Sequence, residues 1–204
     1  MKKEKHSNNL NPYPELSLKD LIDAGKWEKI QDNFSTVTDI GLRIVGPEGA
    51  LIIPSTKQPR LCGELLENAL AREKICGDGS CLPTFLHGKS VVDKNLSFSC
   101  AAGVHHFIAP LIIDKDKILG YLILGPVILV MRKPKEEYAA MAHELRIEQD
   151  ALWNAISEIK TISFHCAQSL LELIKDVAEY TLKLSYQRLI KERGIAPAED
   201  SATP

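Results

Sequence analysis

The sequence predicts an α+β domain: one five-stranded antiparallel sheet with inserted helices and a long C-terminal helix. Three observations predict it. Leu96 to Cys100, Val104 to Ile113 and Ile118 to Met131 read as strands, the last two joined by the polar turn Asp114-Lys115-Asp116-Lys117. Strands linked by short turns pair antiparallel. Two further strands stand earlier around a Pro/Gly turn, and a helical stretch separates them from the later three. From Lys135 onward the pattern is helical.

Residues 1–16 carry Asn, Pro and Lys with little apolar pattern and read as a flexible arm. Ser17 with Asp20 three positions on is a short capping box. Leu18, Leu21, Ile22, Trp27, Ile30 and Phe34 keep helical spacing, and Gly25 weakens the middle, so two short helices are expected. Leu42 to Val45 and Ala50 to Ile53 are strands around the turn Gly46-Pro47-Glu48-Gly49. Leu61 to Ile75 is helical by composition, and Gly77-Asp78-Gly79-Ser80 breaks it.

Lys135 to Leu145 and Gln149 to Ile159 are two helices, and Ser163 to Arg193 is a third. In it Cys166, Leu170, Leu173, Val177, Tyr180 and Leu184 alternate in steps of four and three, a heptad seam. Two readings fit that seam: packing on the helix's own domain, or a dimerising or signal-carrying surface. Residues 194–204 read as a disordered tail. The expected organisation is an arm over 1–16, a folded domain over 17–160, a helix over 161–193 and the tail.

Composition narrows the function classes. The chain has 204 residues, is 45% hydrophobic and 25% charged, and carries a net charge of -2. That is ordinary for a folded domain and gives no global electrostatic reason to bind nucleic acid or anionic lipid. No apolar run approaches the roughly 18 residues of a membrane span. The basic start has no apolar stretch behind it, so it is no signal peptide. A cytoplasmic setting follows, where thiols stay mostly reduced.

The cysteines therefore read as core thiols, metal ligands or redox groups. Cys62, Cys76, Cys81 and Cys100 fall within 39 residues, with His87, His105 and His106 in or near the same region. Thiolate and imidazole suit zinc, an iron–sulfur cluster or copper(I), and buried unligated thiols are the alternative. One unbroken helix would hold Cys62 and Cys76 about 21 Å apart, too far for one site. A shared site needs a break, and Glu67-Asn68 is the place, with Asn68 capping a second helix. Cys166, on the late helix, reads as core. His105 and His106 are adjacent in a strand and point to opposite faces, so at most one enters a given pocket.

No phosphate loop, nucleophile elbow or HExxH motif is present. Cys100 with a nearby histidine could imitate a Cys–His nucleophile, yet nothing orients the base, so no enzyme is expected.

The ordered set of motifs resembles the PocR sensory domain, a variant of the PAS fold, over roughly Leu18 to Leu184. Its carriers are Lys29-Ile30-Gln31-Asp32-Asn33-Phe34-Ser35, the hairpin Gly41 to Gly49, Leu61-Cys62, Ile75-Cys76 and Ser99-Cys100-Ala101-Ala102-Gly103-Val104. Pro110 to Ile113, Leu119-Gly120 and Leu124-Gly125-Pro126-Val127 complete it. Gly125-Pro126-Val127 stands where the family usually has Gly-Gln-Val, and His105-His106 replaces a less basic pair.

The resemblance implies a sensor of a signal-transduction or transcription-regulatory system. Such domains bind small hydrocarbon derivatives such as diols and pass the signal to a kinase or DNA-binding module, which these residues do not include. The implied pocket is lined by Phe34, Cys62, Cys100, Phe107 and one of His105 and His106. The alternative is a metal or iron–sulfur redox sensor on the same fold, using Cys62, Cys76, Cys81 and Cys100. A homodimer through the C-terminal helix is the expected assembly.

Overall fold

The computed structural model describes residues 16–55, 57–76, 95–114 and 117–192. The chain opens with helices α1 (Leu18–Leu21) and α2 (Ala24–Thr38). The Asp20 carboxylate accepts from the Ser17 backbone N–H (2.8 Å) and from its hydroxyl (2.7 Å). α1 stops after one turn because Ile22 is extended, and Asp23 caps α2 by accepting from the Lys26 N–H at 3.1 Å. The two expected helices thus divide at Ile22-Asp23, and Gly25 falls inside the first turn of the second.

Trp27, Gln31 and Ser35 follow one another at steps of four and are all buried. Gln31 is the clasp of this row. Its side-chain amide donates to the Leu42 carbonyl and, at 3.2 Å, to the Pro54 carbonyl. Those carbonyls bracket the hairpin of β1 (Leu42–Val45) and β2 (Leu51–Ile53), so one side chain fixes α2 on two strands. The hairpin turn closes with Gly46 N–H on the Ala50 carbonyl at 2.7 Å, with Gly49 at φ +83°.

The stretch expected to be helical from Leu61 is broken. A single 3-10 turn, Leu65–Glu67, is followed by an extended Asn68 and then by α3 (Ala69–Cys76). The Asn68 side-chain carbonyl accepts from the Leu70 (2.9 Å) and Ala71 (3.3 Å) N–H groups. The break and its cap lie where the residues placed them.

β3 (Leu96–Ser99), β4 (His105–Asp114) and β5 (Lys117–Leu129) run as an antiparallel meander. β5 also pairs with β1, giving the order β2-β1-β5-β4-β3. α4 (Lys135–Leu145) and α5 (Gln149–Ser157) follow. A sixth strand not foreseen in the sequence, β6 (Thr161–Ile162), then joins the end of β5 in parallel. Arg132 secures this corner: its guanidinium donates to the Ile156 (3.3 Å), Ser157 (2.9 Å) and Ile159 carbonyls at the end of α5.

The last helix, α6 (Phe164–Glu192), lies across β4. Ala167, Leu171, Ile174, Ala178 and Leu182 bury against the sheet and against Leu18, Leu21 and Trp27. Cys166, expected in the core, is exposed, because the buried stripe passes through its neighbour Ala167. A second core gathers α3, α4 and α5 around Val104 and Ile128. No helix among the described residues is long and apolar enough to cross a membrane.

The clasp gives a direct test. Gln31→Met keeps the side-chain length and leaves two carbonyls without their donor, an expected loss of about 1–3 kcal/mol. Chemical denaturation checks this, and a loss below about 0.5 kcal/mol would show that the clasp holds nothing.

Candidate functional site

Residues directly opposed in an antiparallel ladder share a sheet face. The register therefore sorts the strands into two sets. Leu42, Ile44, Phe107, Ala109, Leu111, Leu122 and Leu124 face α2 and α6. The other face carries Arg43 and Val45 from β1, Leu96 and Phe98 from β3, His106, Ile108 and Pro110 from β4, and Tyr121 and Ile123 from β5. Val45, Ile108, Tyr121 and Ile123 form a third buried cluster there, with Phe98 and Ile118 against it.

Three polar side chains belong to this otherwise apolar face. His106 is 4% exposed, and its ring stacks on Phe98 with centroids 5.0 Å apart and planes 15° apart. Tyr121 is equally buried, and that burial raises the pKa of its phenol. Arg43 is half-buried directly across from Ile123. A donor-acceptor ring, a phenol and a guanidinium beside aliphatic surface suit a small ligand with an apolar body and hydroxyl or carbonyl groups.

A bulge sets His106 in place. The partner of β4 jumps from Val127, opposite His105, to Leu124, opposite Phe107. Within that jump Gly125 has φ +127° and is followed by a cis Pro126. A Cβ on Gly125 would stand 2.9 Å from the His105 carbonyl and 3.1 Å from His106 Nδ1. Only glycine leaves room for the histidine backbone and ring there. The Gly125 N–H turns to the other neighbour and donates to the Gly41 carbonyl at 2.9 Å.

The residues singled out in the sequence fall into three places. His106 lies on the face just described, and His105 lies on the opposite one, across from Ser99 and Val127. Phe107 is core under α6, tilted against Phe164 at 5.5 Å, and Phe34 is half-buried at the edge of the same core. Cys62, Cys76 and Cys100 border the second core together. There the Ala101 N–H donates to the Ile75 carbonyl at 3.1 Å, which ties the Cys76 and Cys100 segments. The Tyr138 hydroxyl donates to the Ala102 carbonyl at 3.2 Å and closes the turn after Cys100. Cys81 and His87 lie outside the described residues. Among the described residues, no three His, Cys, Asp or Glu side chains could hold one metal ion.

Arg43, Phe98 and Tyr121 were not singled out in the sequence. Alternation gives the signal for Phe98, since it opposes His106 in the β3–β4 ladder. Nothing comparable marks Tyr121, because β5 is apolar on both faces.

A protein-family model described as PocR, the sensory domain found in PocR, matches residues 20–186. The chain belongs to the PocR sensory-domain family. No curated protein and no solved structure matched. The PocR match runs from α1 into the second half of α6, so it takes in both sheet faces and the helix laid across one of them.

His105 offers a pH test. Burial alone lowers its pKa from the ordinary value near 6.5. The unfolded chain then takes up the proton first as pH falls. The contribution of neutral His105 is complete above about pH 6.5 and declines as pH drops toward its folded pKa. His105→Gln should flatten that part of the stability profile between pH 7 and 5. An unchanged slope would remove His105 as its source.

Proposed function

We propose that this PocR domain is a sensory module that binds a small hydroxylated hydrocarbon, such as a diol, on the face carrying His106. The observation behind the reading is the buried His106 stacked on half-buried Phe98 among Val45, Ile108 and Ile123. Arg43, Tyr121 and His106 would meet the ligand's hydroxyl groups, and the aliphatic side chains would meet its carbons. The role is binding without catalysis, in a cytoplasmic signalling or transcription-regulatory system. The partners are a kinase or DNA-binding output module and a second copy of the chain.

β4 supports the signalling half of the reading. His106, Ile108 and Pro110 face the ligand side, while Phe107, Ala109 and Leu111 pack under α6. A ligand that shifts the strand is therefore felt one residue away by the helix. Two arrangements of α6 that differ in ligand affinity are all a sensor requires.

A thermal-shift screen of the full chain against short diols and alcohols tests it. A binder at a hundredfold excess over its Kd adds about 2.7 kcal/mol and raises Tm by several degrees. His106→Leu and Tyr121→Phe should each cut that shift while the unliganded protein stays folded. A panel without a single shift, or a shift indifferent to both substitutions, would sink the assignment.

A second reading has its own observation. The break at Asn68 and the Ala101–Ile75 hydrogen bond bring Cys62, Cys76 and Cys100 to the edge of one core. These three do not converge on one metal ion as they stand, so a zinc or iron–sulfur redox site of the kind thiolates favour would require them to close together with Cys81. Elemental analysis of anaerobically prepared protein should find stoichiometric zinc or iron, lost in Cys62→Ser. Metal-free protein with four titratable thiols in this group would end this reading.

A further inference from the structure

α6 carries two apolar stripes, and its own domain covers one of them. Ala167, Leu171, Ile174, Ala178 and Leu182 are buried. The heptad stripe lies roughly 120° round the helix from them, at 3.6 residues per turn. Leu170 is half-buried against the domain, and the members after it turn to solvent: Leu173 is 60% exposed, Val177 36%, Tyr180 65% and Leu184 49%. Cys166 at the head of the stripe is exposed as well. An a/d seam of this kind is made to meet another helix.

The charges beside the seam select the partner and its direction. Leu170, Val177 and Leu184 take one set of seam positions, and Cys166, Leu173 and Tyr180 the other. Asp176 and Lys183 stand on one flank, a heptad apart and both exposed. Thr181 and Arg188 stand on the other flank. In a parallel pair, flank positions five apart meet, so Lys183 would lie beside the partner's Arg188, two like charges. In an antiparallel pair like flanks meet, and Asp176 lies beside the partner's Lys183. Two-fold symmetry makes that pair twice. The same register sets Leu173 against the partner's Leu184 and Val177 against the partner's Tyr180, giving four apolar layers. Arg188 stays outside, paired with Glu192 of its own helix at 2.8 Å.

We propose that the protein is a homodimer in which two α6 helices pack antiparallel through Leu173, Val177, Tyr180 and Leu184, with Asp176 paired to the partner's Lys183. This rests on the homodimer of the proposed function and adds its direction and register.

The full chain should show twice its 22.6 kDa mass by light scattering at tens of micromolar. Tyr180→Glu should give a folded monomer, since Tyr180 is mostly exposed within one chain. Asp176→Lys should raise the dimer Kd at least tenfold, and adding Lys183→Asp should restore it. Cys166 reports direction without any substitution. A parallel seam puts the two Cys166 thiols in one layer, and mild oxidation would join them. The antiparallel register separates them by about 37 Å along the axis, and no Cys166 disulfide forms. A monomer throughout would overturn both the dimer and its register. A dimer joined at Cys166, or one that the double charge swap fails to restore, would overturn the register alone. Neither result touches the ligand assignment, which the thermal shift reads separately.

Discussion

The fold depends on one strand that has no solvent side. β5 is buried from Leu119 to Ile128, and every backbone polar group along it needs a partner in the protein. β1 and β4 supply those partners on its two edges, and β6 continues the pairing at its end. Helices fill the remaining space, with α6 and α2 on one face and the α3–α5 group around its last residues. Its glycines mark where this central position is tightest. A Cβ on Gly120 would stand 2.3 Å from the Val45 carbonyl and 2.8 Å from Leu18, so β1 and α1 can close on the strand only over a glycine.

That same strand explains why some of the structure was legible and some was not. Local signals read well. Ser17 with Asp20, the Gly46–Gly49 turn and the Asn68 cap each concern a few consecutive residues, and hydrogen bonds within those residues settle them. The bounds of α4 were legible for the same reason. Pro134 sits at its amino end, and Arg146, at φ +56°, ends it. Sidedness read badly. An apolar run such as Leu119 to Leu124 has no polar phase, so nothing in it says which residues face α6 and which face His106. α6 posed the same difficulty in helical form. Its two apolar stripes share one sequence, and Cys166 belongs to the outer one. β6 gave no signal because two residues are too few to carry a period.

The candidate site was legible only as a pair of histidines with opposite orientations. Choosing between them took the β4 bulge, which lies in the pairing of two strands and in the room left by Gly125. The cysteines show the converse. The local break at Asn68 was readable, yet Cys62, Cys76 and Cys100 do not meet at a single metal position. The two readings use different parts of the fold. His106 lies in the middle of the sheet, and Cys62, Cys76 and Cys100 lie at the edge of the α3–α5 core.

The short parallel strand β6 has a mechanical meaning. It ends one residue before α6 begins, and Arg132 holds the preceding turn by three carbonyls. The start of the 29-residue helix is therefore pinned like a fulcrum. A helix of that length is a rod of about 43 Å, so a tilt of about 5° at its root moves the far end by about 4 Å. Angular motion of a size that close-packed side chains can absorb near Phe107 becomes a displacement of about 0.7 of a helical turn at Glu192.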